Sequence, residues 1–105
     1  MNKDAVVVID PGHGGNDPGA VNGNVKEKDF NLQSSLYIYN RLRELGIPTV
    51  ITRDSDTSLP KDARIRRIKE ISQDSPNVIL LSNHINSGGG DVSNCEGLNL
   101  KKYVL

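Results

Sequence analysis

With 105 residues and 13 basic against 13 acidic side chains, the chain has no formal net charge, which removes the electrostatic argument for nucleic acid or an anionic membrane as its main partner. The length predicts one small domain over residues 1–105 with a modest core, and 35% hydrophobic but only 4% aromatic content makes that core aliphatic. No apolar run approaches the length of a membrane span, so no membrane insertion is expected, and a lone cysteine, Cys95, rules out an internal disulfide while leaving the redox compartment open.

Met1-Asn2-Lys3-Asp4 leads straight into the first predicted strand, residues 4–10, with no signal peptide before it. Synthesis in the cytoplasm or a removed leader is expected. The run Ala5-Val6-Val7-Val8-Ile9 is short, continuously apolar and β-branched, the pattern of a buried parallel strand. A loop rich in glycine follows, with Gly12, Gly14, Gly15, Gly19 and Gly23. Residues 27–45 read as a helix with an imperfect apolar stripe of Phe30, Leu36 with Tyr37, Tyr39, and Leu42 with Leu45. Gly46 suits the position after its end, and Pro48 prevents continuation. Residues 47–52 read as a second strand, which Pro48 places at a sheet edge. A polar loop over 53–60 precedes a second helix over 61–73. There Ile65, Ile68 and Ile71 form the apolar face, with Arg64, Arg66, Lys69 and Glu70 outward or flanking. Pro76-Asn77 punctuates the chain, and Val78-Ile79-Leu80-Leu81 is the third strand. Beyond Asn86 the character changes: Ser87-Gly88-Gly89-Gly90-Asp91 is loop, and residues 92–105 show no clear period.

This β-α-β-α-β order predicts an α/β fold with three layers: a mostly parallel sheet with helices on both faces. Right-handed crossovers and a strand order of 2-1-3 put a switch point between strands 1 and 3, where ligands bind beyond the carboxyl ends. His13 and His84, the only histidines, follow those two strands. The order 1-2-3 would separate them, but the apolar character of strands 1 and 3 favours these as the central pair. Imidazole is the commonest metal ligand and acid-base group. Zinc in hydrolases takes two histidines and a carboxylate, leaving a fourth position for water. Glu27, at the start of the first helix, is the best third ligand. Zinc so held would lower the pKa of its water towards ~7 and polarise a substrate carbonyl. Asp10 either orients an imidazole from behind or terminates its strand, and Asn86 either orients substrate or caps a strand end. Arg53 and Arg64 are expected to anchor loops, and Lys101-Lys102 with Arg64-Arg66-Arg67 to be solvated clusters.

Each ligand has an ordinary alternative: a loop histidine, a buried histidine on a carbonyl, an acid favoured by the first helical turn. It is their coincidence at matching ends that points to a site. Gly12-His13-Gly14-Gly15-Asn16-Asp17 fails the dinucleotide and P-loop patterns, so a phosphate cradle is not expected. Nor does anything visibly activate Cys95 as a nucleophile beside His84.

Four blocks in order resemble the zinc-dependent N-acetylmuramoyl-L-alanine amidases of the amidase type 3 family, found in bacterial autolysins and phage endolysins. These are Ile9-Asp10-Pro11-Gly12-His13-Gly14-Gly15, Glu27-Lys28-Asp29-Phe30-Asn31-Leu32, Thr52-Arg53-Asp54-Ser55-Asp56 and Ser82-Asn83-His84-Ile85-Asn86. The resemblance covers residues 5–90. It implies an amidase/phosphorylase-like fold, zinc on His13, Glu27 and His84, and action on peptidoglycan at the bacterial cell wall. It also implies cleavage of the amide between the lactyl group of N-acetylmuramic acid and the L-alanine of the stem peptide. Family members continue with a Gly-x-Glu-like strand whose Glu is the general base. Here Gly90-Asp91 leads to Val92-Ser93-Asn94-Cys95-Glu96-Gly97, and Glu96 is the candidate base in a context that does not match. The tail looks truncated or read in another frame, and the domain incomplete at its C-terminal end. The rival expectation is therefore a catalytically silent fragment that binds zinc or the wall. In the order 2-1-3, strand 3 is a rim of the sheet. Either the tail folds back over it, or chains self-associate through the exposed edge.

Overall fold

The computed structural model describes residues 5–73, 75, 77–85 and 98–104. Its elements are β1 (Ala5–Pro11), β2 (Val21–Asn22), β3 (Val25–Lys26), α1 (Glu27–Glu44), β4 (Thr49–Ile51), α2 (Lys61–Gln73), β5 (Asn77–Ile85) and β6 (Leu98–Val104). One sheet has the order β4-β1-β5-β6. The strands predicted as 2-1-3 are thus β4-β1-β5, with β1 parallel to both neighbours.

Alternation of side chains along β5 shows that the helices take opposite faces. Ser82 donates to Asp10, which also accepts from Arg64 of α2. The next residue, Asn83, donates to Ser34 and Ser35 of α1. Val8, Ile9, Val78 and Ile85 form the buried apolar centre, the aliphatic core that the composition requires.

Several elements depart from expectation. The buried residues of α1 are Glu27, Lys28, Asn31 and Ser35, all polar, whereas Phe30, Tyr37 and Leu45 of the supposed apolar stripe are exposed. The helix does end as expected, with Gly46 in the left-handed region at φ 78°. None of the residues of α2 is fully buried, and Ile65 is exposed. Arg64, read as outward or flanking, instead reaches β1 with its guanidinium. The glycine-rich loop contains the small antiparallel hairpin of β2 and β3. β4 is shorter than the predicted 47–52, and β5 is longer than the apolar run and includes His84.

Of the two fates expected for the edge of the third strand, the structure has the first. β6 lies antiparallel along β5, pairing Ile79 with Val104 through to Ile85 with Leu98. The edge of β5 is therefore paired with a strand of the same chain. No helix among the described residues is long and apolar enough to cross a membrane.

Candidate metal centre

β1 ends at Pro11, and two residues later His13 sits in the left-handed region at φ 62°. This is an uncommon conformation for a side-chain-bearing residue, of the kind that clusters at functional sites. Two arginines hold it there. Arg53, 3% exposed, donates Nε to the Pro11 carbonyl and Nη2 to the Gly12 carbonyl at 2.8 Å. Arg64 donates Nη1 to Asp10 at 2.5 Å and Nη2 to the His13 carbonyl at 3.0 Å. Both arginines anchor this loop, as the sequence suggested. The loop is further tied to Asp56, whose carboxylate accepts from the Gly15 amide and from Lys28 Nζ, both at 2.8 Å.

Glu27 opens α1 and is almost wholly buried, at 4% exposure. His13 Nε2 lies 3.2 Å and His84 Nδ1 3.3 Å from its Oε2. The two imidazoles meet edge to face with centroids 5.1 Å apart. One ligand atom from each of the three residues falls within 4.8 Å of the others. The structure thus brings together the three residues that the sequence reading grouped. It places His84 one residue before the end of β5, not beyond it.

The charge states suit a cation. Burial opposes the Glu27 carboxylate. Hydrogen bonds from Asn31 and from the Ala20 and Ile85 amides, with the nearby His13, outweigh it and hold the pKa below its ordinary value. Burial, and then His13, push the His84 pKa down, favouring the neutral imidazole that ligates metals. Two imidazole nitrogens and one charged oxygen, brought together beside a buried carboxylate, could hold a metal ion and match the donor types that hydrolytic zinc sites use.

Among the described residues Asp10 bonds no imidazole. Its carboxylate accepts from Thr52 Oγ1, Arg64 Nη1 and Ser82 Oγ, because its side chain points to the α2 face, where the partly buried guanidinium of Arg64 pairs with it. The orienting carboxylate is Asp17, whose Oδ2 is 2.8 Å from His13 Nδ1. That bond, against slight desolvation, lowers the Asp17 pKa. The sequence reading missed Asp17, although it stands only four positions after His13 in the glycine-rich loop. Asn86, Glu96 and Cys95 lie outside the described residues. Beside the ligands an open cleft of about 720 Å³ is lined by Asn16, Ser58, Leu59, Pro60, Lys61 and Arg64 together with the histidine loop.

A family model described as N-acetylmuramoyl-L-alanine amidase matches residues 7–99. The chain is 37% identical over 90 residues to the uncharacterized protein YqiI of Bacillus subtilis (strain 168), covering 86% of this chain and 42% of that protein. It is 35% identical over 79 residues to the germination-specific N-acetylmuramoyl-L-alanine amidase of the same organism, covering 75% of this chain and 33% of the relative. Among solved structures, the catalytic domain of CwlV, an N-acetylmuramoyl-L-alanine amidase from Bacillus (Paenibacillus) polymyxa var. colistinus, superposes with a TM-score of 0.70. It is 38% identical, over 80% of this chain and 46% of that one. The chain therefore spans less than half the length of each of these proteins.

Proposed function

Because this chain belongs to the N-acetylmuramoyl-L-alanine amidase family, we propose that it carries the metal-holding part of a zinc-dependent peptidoglycan amidase acting at the bacterial cell wall. The observation that carries this reading is the convergence of His13 Nε2, His84 Nδ1 and Glu27 Oε2 at the carboxyl ends of β1 and β5. The reaction is hydrolysis of the amide between the lactyl group of N-acetylmuramic acid and L-alanine. Glu27 would supply the negative charge, and His13 and His84 one imidazole nitrogen each. When bound there, zinc supplies Lewis acidity, which acidifies a water and polarises a carbonyl.

The chain's own groups do the rest. Asp17 fixes His13 so that Nε2 faces the site. Arg53 and Arg64 hold the loop that carries it. The adjacent cleft gives a muramoyl-peptide access to the ligands from one side. A carboxylate must take the proton of the attacking water and return it to the leaving amine, and Glu96 is proposed for that role.

The test is zinc content of the purified chain, read beside hydrolysis of a muramoyl-peptide. One zinc per chain is expected, with most of it lost in His13→Ala and in His84→Ala. Unchanged zinc in both variants would sink the reading. Glu96→Gln is expected to reduce hydrolysis by about 10²–10⁴-fold, the scale of a general acid-base. Equal rates would remove Glu96 from the mechanism, and a zinc-loaded chain without activity would identify a fragment that binds but does not cut.

A further inference from the structure

Asn31 is wholly buried one helical turn after Glu27, on the same face of α1. Its Nδ2 donates to Glu27 Oε2 at 3.1 Å and to the Gly12 carbonyl at 3.2 Å. Oε2 is the oxygen that both imidazoles approach, and Gly12 immediately precedes His13. The Asn31 carbonyl in turn accepts from Asn83 Nδ2. Asn83 is also wholly buried and donates to Ser34 Oγ at 2.6 Å and Ser35 Oγ at 2.9 Å. Asn83 immediately precedes His84. One side-chain amide therefore touches the acidic ligand and the peptide leading to one histidine. Its own backbone is gripped by the neighbour of the other.

Packing alone does not explain this amide. Both Asn31 Oδ1 and Asn83 Oδ1 are buried with no hydrogen-bond partner among the described residues. A buried acceptor left unpaired is destabilising, and an apolar side chain of similar size avoids that penalty. What an apolar residue lacks is the pair of N–H donors, and Asn31 uses both. A carboxylate has a broad terminal torsion. The Ala20 amide holds Oε1 of Glu27, and the Ile85 amide and Asn31 hold Oε2. Asn31 supplies the one side-chain donor among them, and hydrogen bonds to an ionised oxygen are the strong ones.

We propose that Asn31 is a positioning residue of the metal centre, holding the Glu27 carboxylate with Oε2 turned towards both histidines. The inference rests on the reading of His13, Glu27 and His84 as zinc ligands. Groups that orient a ligand from behind contribute about 10–100-fold to metal affinity.

The experiment measures zinc affinity of the full chain by competition with a chromophoric chelator. Circular dichroism serves as the control for folding. Asn31→Leu is expected to fold and to bind zinc about 10–100-fold more weakly. Asn31→Ala, which leaves room for a water, is the second variant should leucine not fit. In a Glu27→Ala background, Asn31→Leu is expected to cost nothing further, because the residue acts through the missing carboxylate. Additive losses in that cycle, or failure of both Asn31 variants to fold, would assign Asn31 a merely structural role and overturn the proposal. So would wild-type affinity in a folded Asn31→Leu chain, and that result would leave the zinc reading intact. A wild-type chain that takes up no zinc would overturn the zinc reading itself, and this inference with it.

Discussion

Replacing Gly12 with alanine tests the geometry of the centre through a single methyl group. Gly12 is not among the residues in the left-handed region, so its backbone accepts an L side chain. The obstacle is the His84 ring. A Cβ at Gly12 would stand 2.3 Å from Cε1, 2.6 Å from Nδ1 and 2.7 Å from Nε2. Ordinary van der Waals contact begins at 3.4 Å, so the imidazole must retreat by about 1 Å, several times the ~0.2 Å tolerance of a metal–ligand distance. Misplacement on that scale at a reacting centre costs about 10²-fold, and a loss of zinc affinity of that order, about 2.7 kcal/mol, is the expectation for Gly12→Ala. Gly23→Ala is the counterpart. Its φ is 60° with no atom within 4 Å of the added Cβ. It should lose about 1–2 kcal/mol of stability through backbone strain and keep its zinc affinity. Chelator competition reads the affinity, and urea unfolding of the metal-free chains reads the stability. Wild-type zinc affinity in Gly12→Ala would refute the placement of His84 against the β1 loop.

Three further outcomes are expected. Asp17→Ala, which frees His13 Nδ1, should weaken zinc binding by about tenfold or more, and chelator competition should detect it without a change in fold. Lys28, and after it the Gly15 amide, hold the Asp56 carboxyl below its ordinary 3.8. Its stabilising contribution is therefore complete above pH 3.8 and lost as pH falls through the lower folded-state value. Urea midpoints of the wild type and Asp56→Asn should differ at pH 7 and converge in strong acid, and a constant difference across pH would refute the link. Deleting residues 92–105 removes β6 and bares the β5 edge, so light scattering should report dimers or larger species. A soluble monomer that retains zinc would count against β6 as the cover of that edge.

The parts of this fold written in apolar residues were legible. The runs over β1 and β5 marked the central strands, and their polar ends located both histidines. A helix starting at the same end brought Glu27 into reach. The remainder is built from buried polar groups, to which hydrophobic periodicity is blind. The inner face of α1 is Glu27, Lys28, Asn31 and Ser35, and a pattern search that looks for leucine there finds Phe30 and Tyr37 on the exposed side. α2 likewise reaches the sheet through Arg64 and Arg67, which bond Asp10 and the Thr52 carbonyl, while Ile65 stays exposed. Partners such as Asp10 with Arg64, or Asn83 with Ser34, are far apart in sequence, and no local spacing records them. Asp17 and Asn31 are different: each stands four residues from a ligand in the same loop or on the same helix face, and a search for donors and acceptors at that spacing would have found both.

Three of these polar groups, Arg53, Arg64 and Asn31, share one destination. The carbonyls of Pro11, Gly12 and His13 accept in succession from Arg53 and Arg64, with Asn31 adding a second donor at Gly12. The segment they grip contains His13 at φ 62°, a conformation that costs about 1–3 kcal/mol. Hydrogen bonds from charged groups contribute about 1.5–3 kcal/mol each. Two guanidiniums making several such bonds exceed the strain, so the left-handed His13 is held by its surroundings. A hydrophobic residue in place of either arginine would serve the core and release the loop. The position after β4 at Arg53 and the position on α2 at Arg64 are therefore cationic because the histidine beside them must be held in a conformation that its own backbone disfavours.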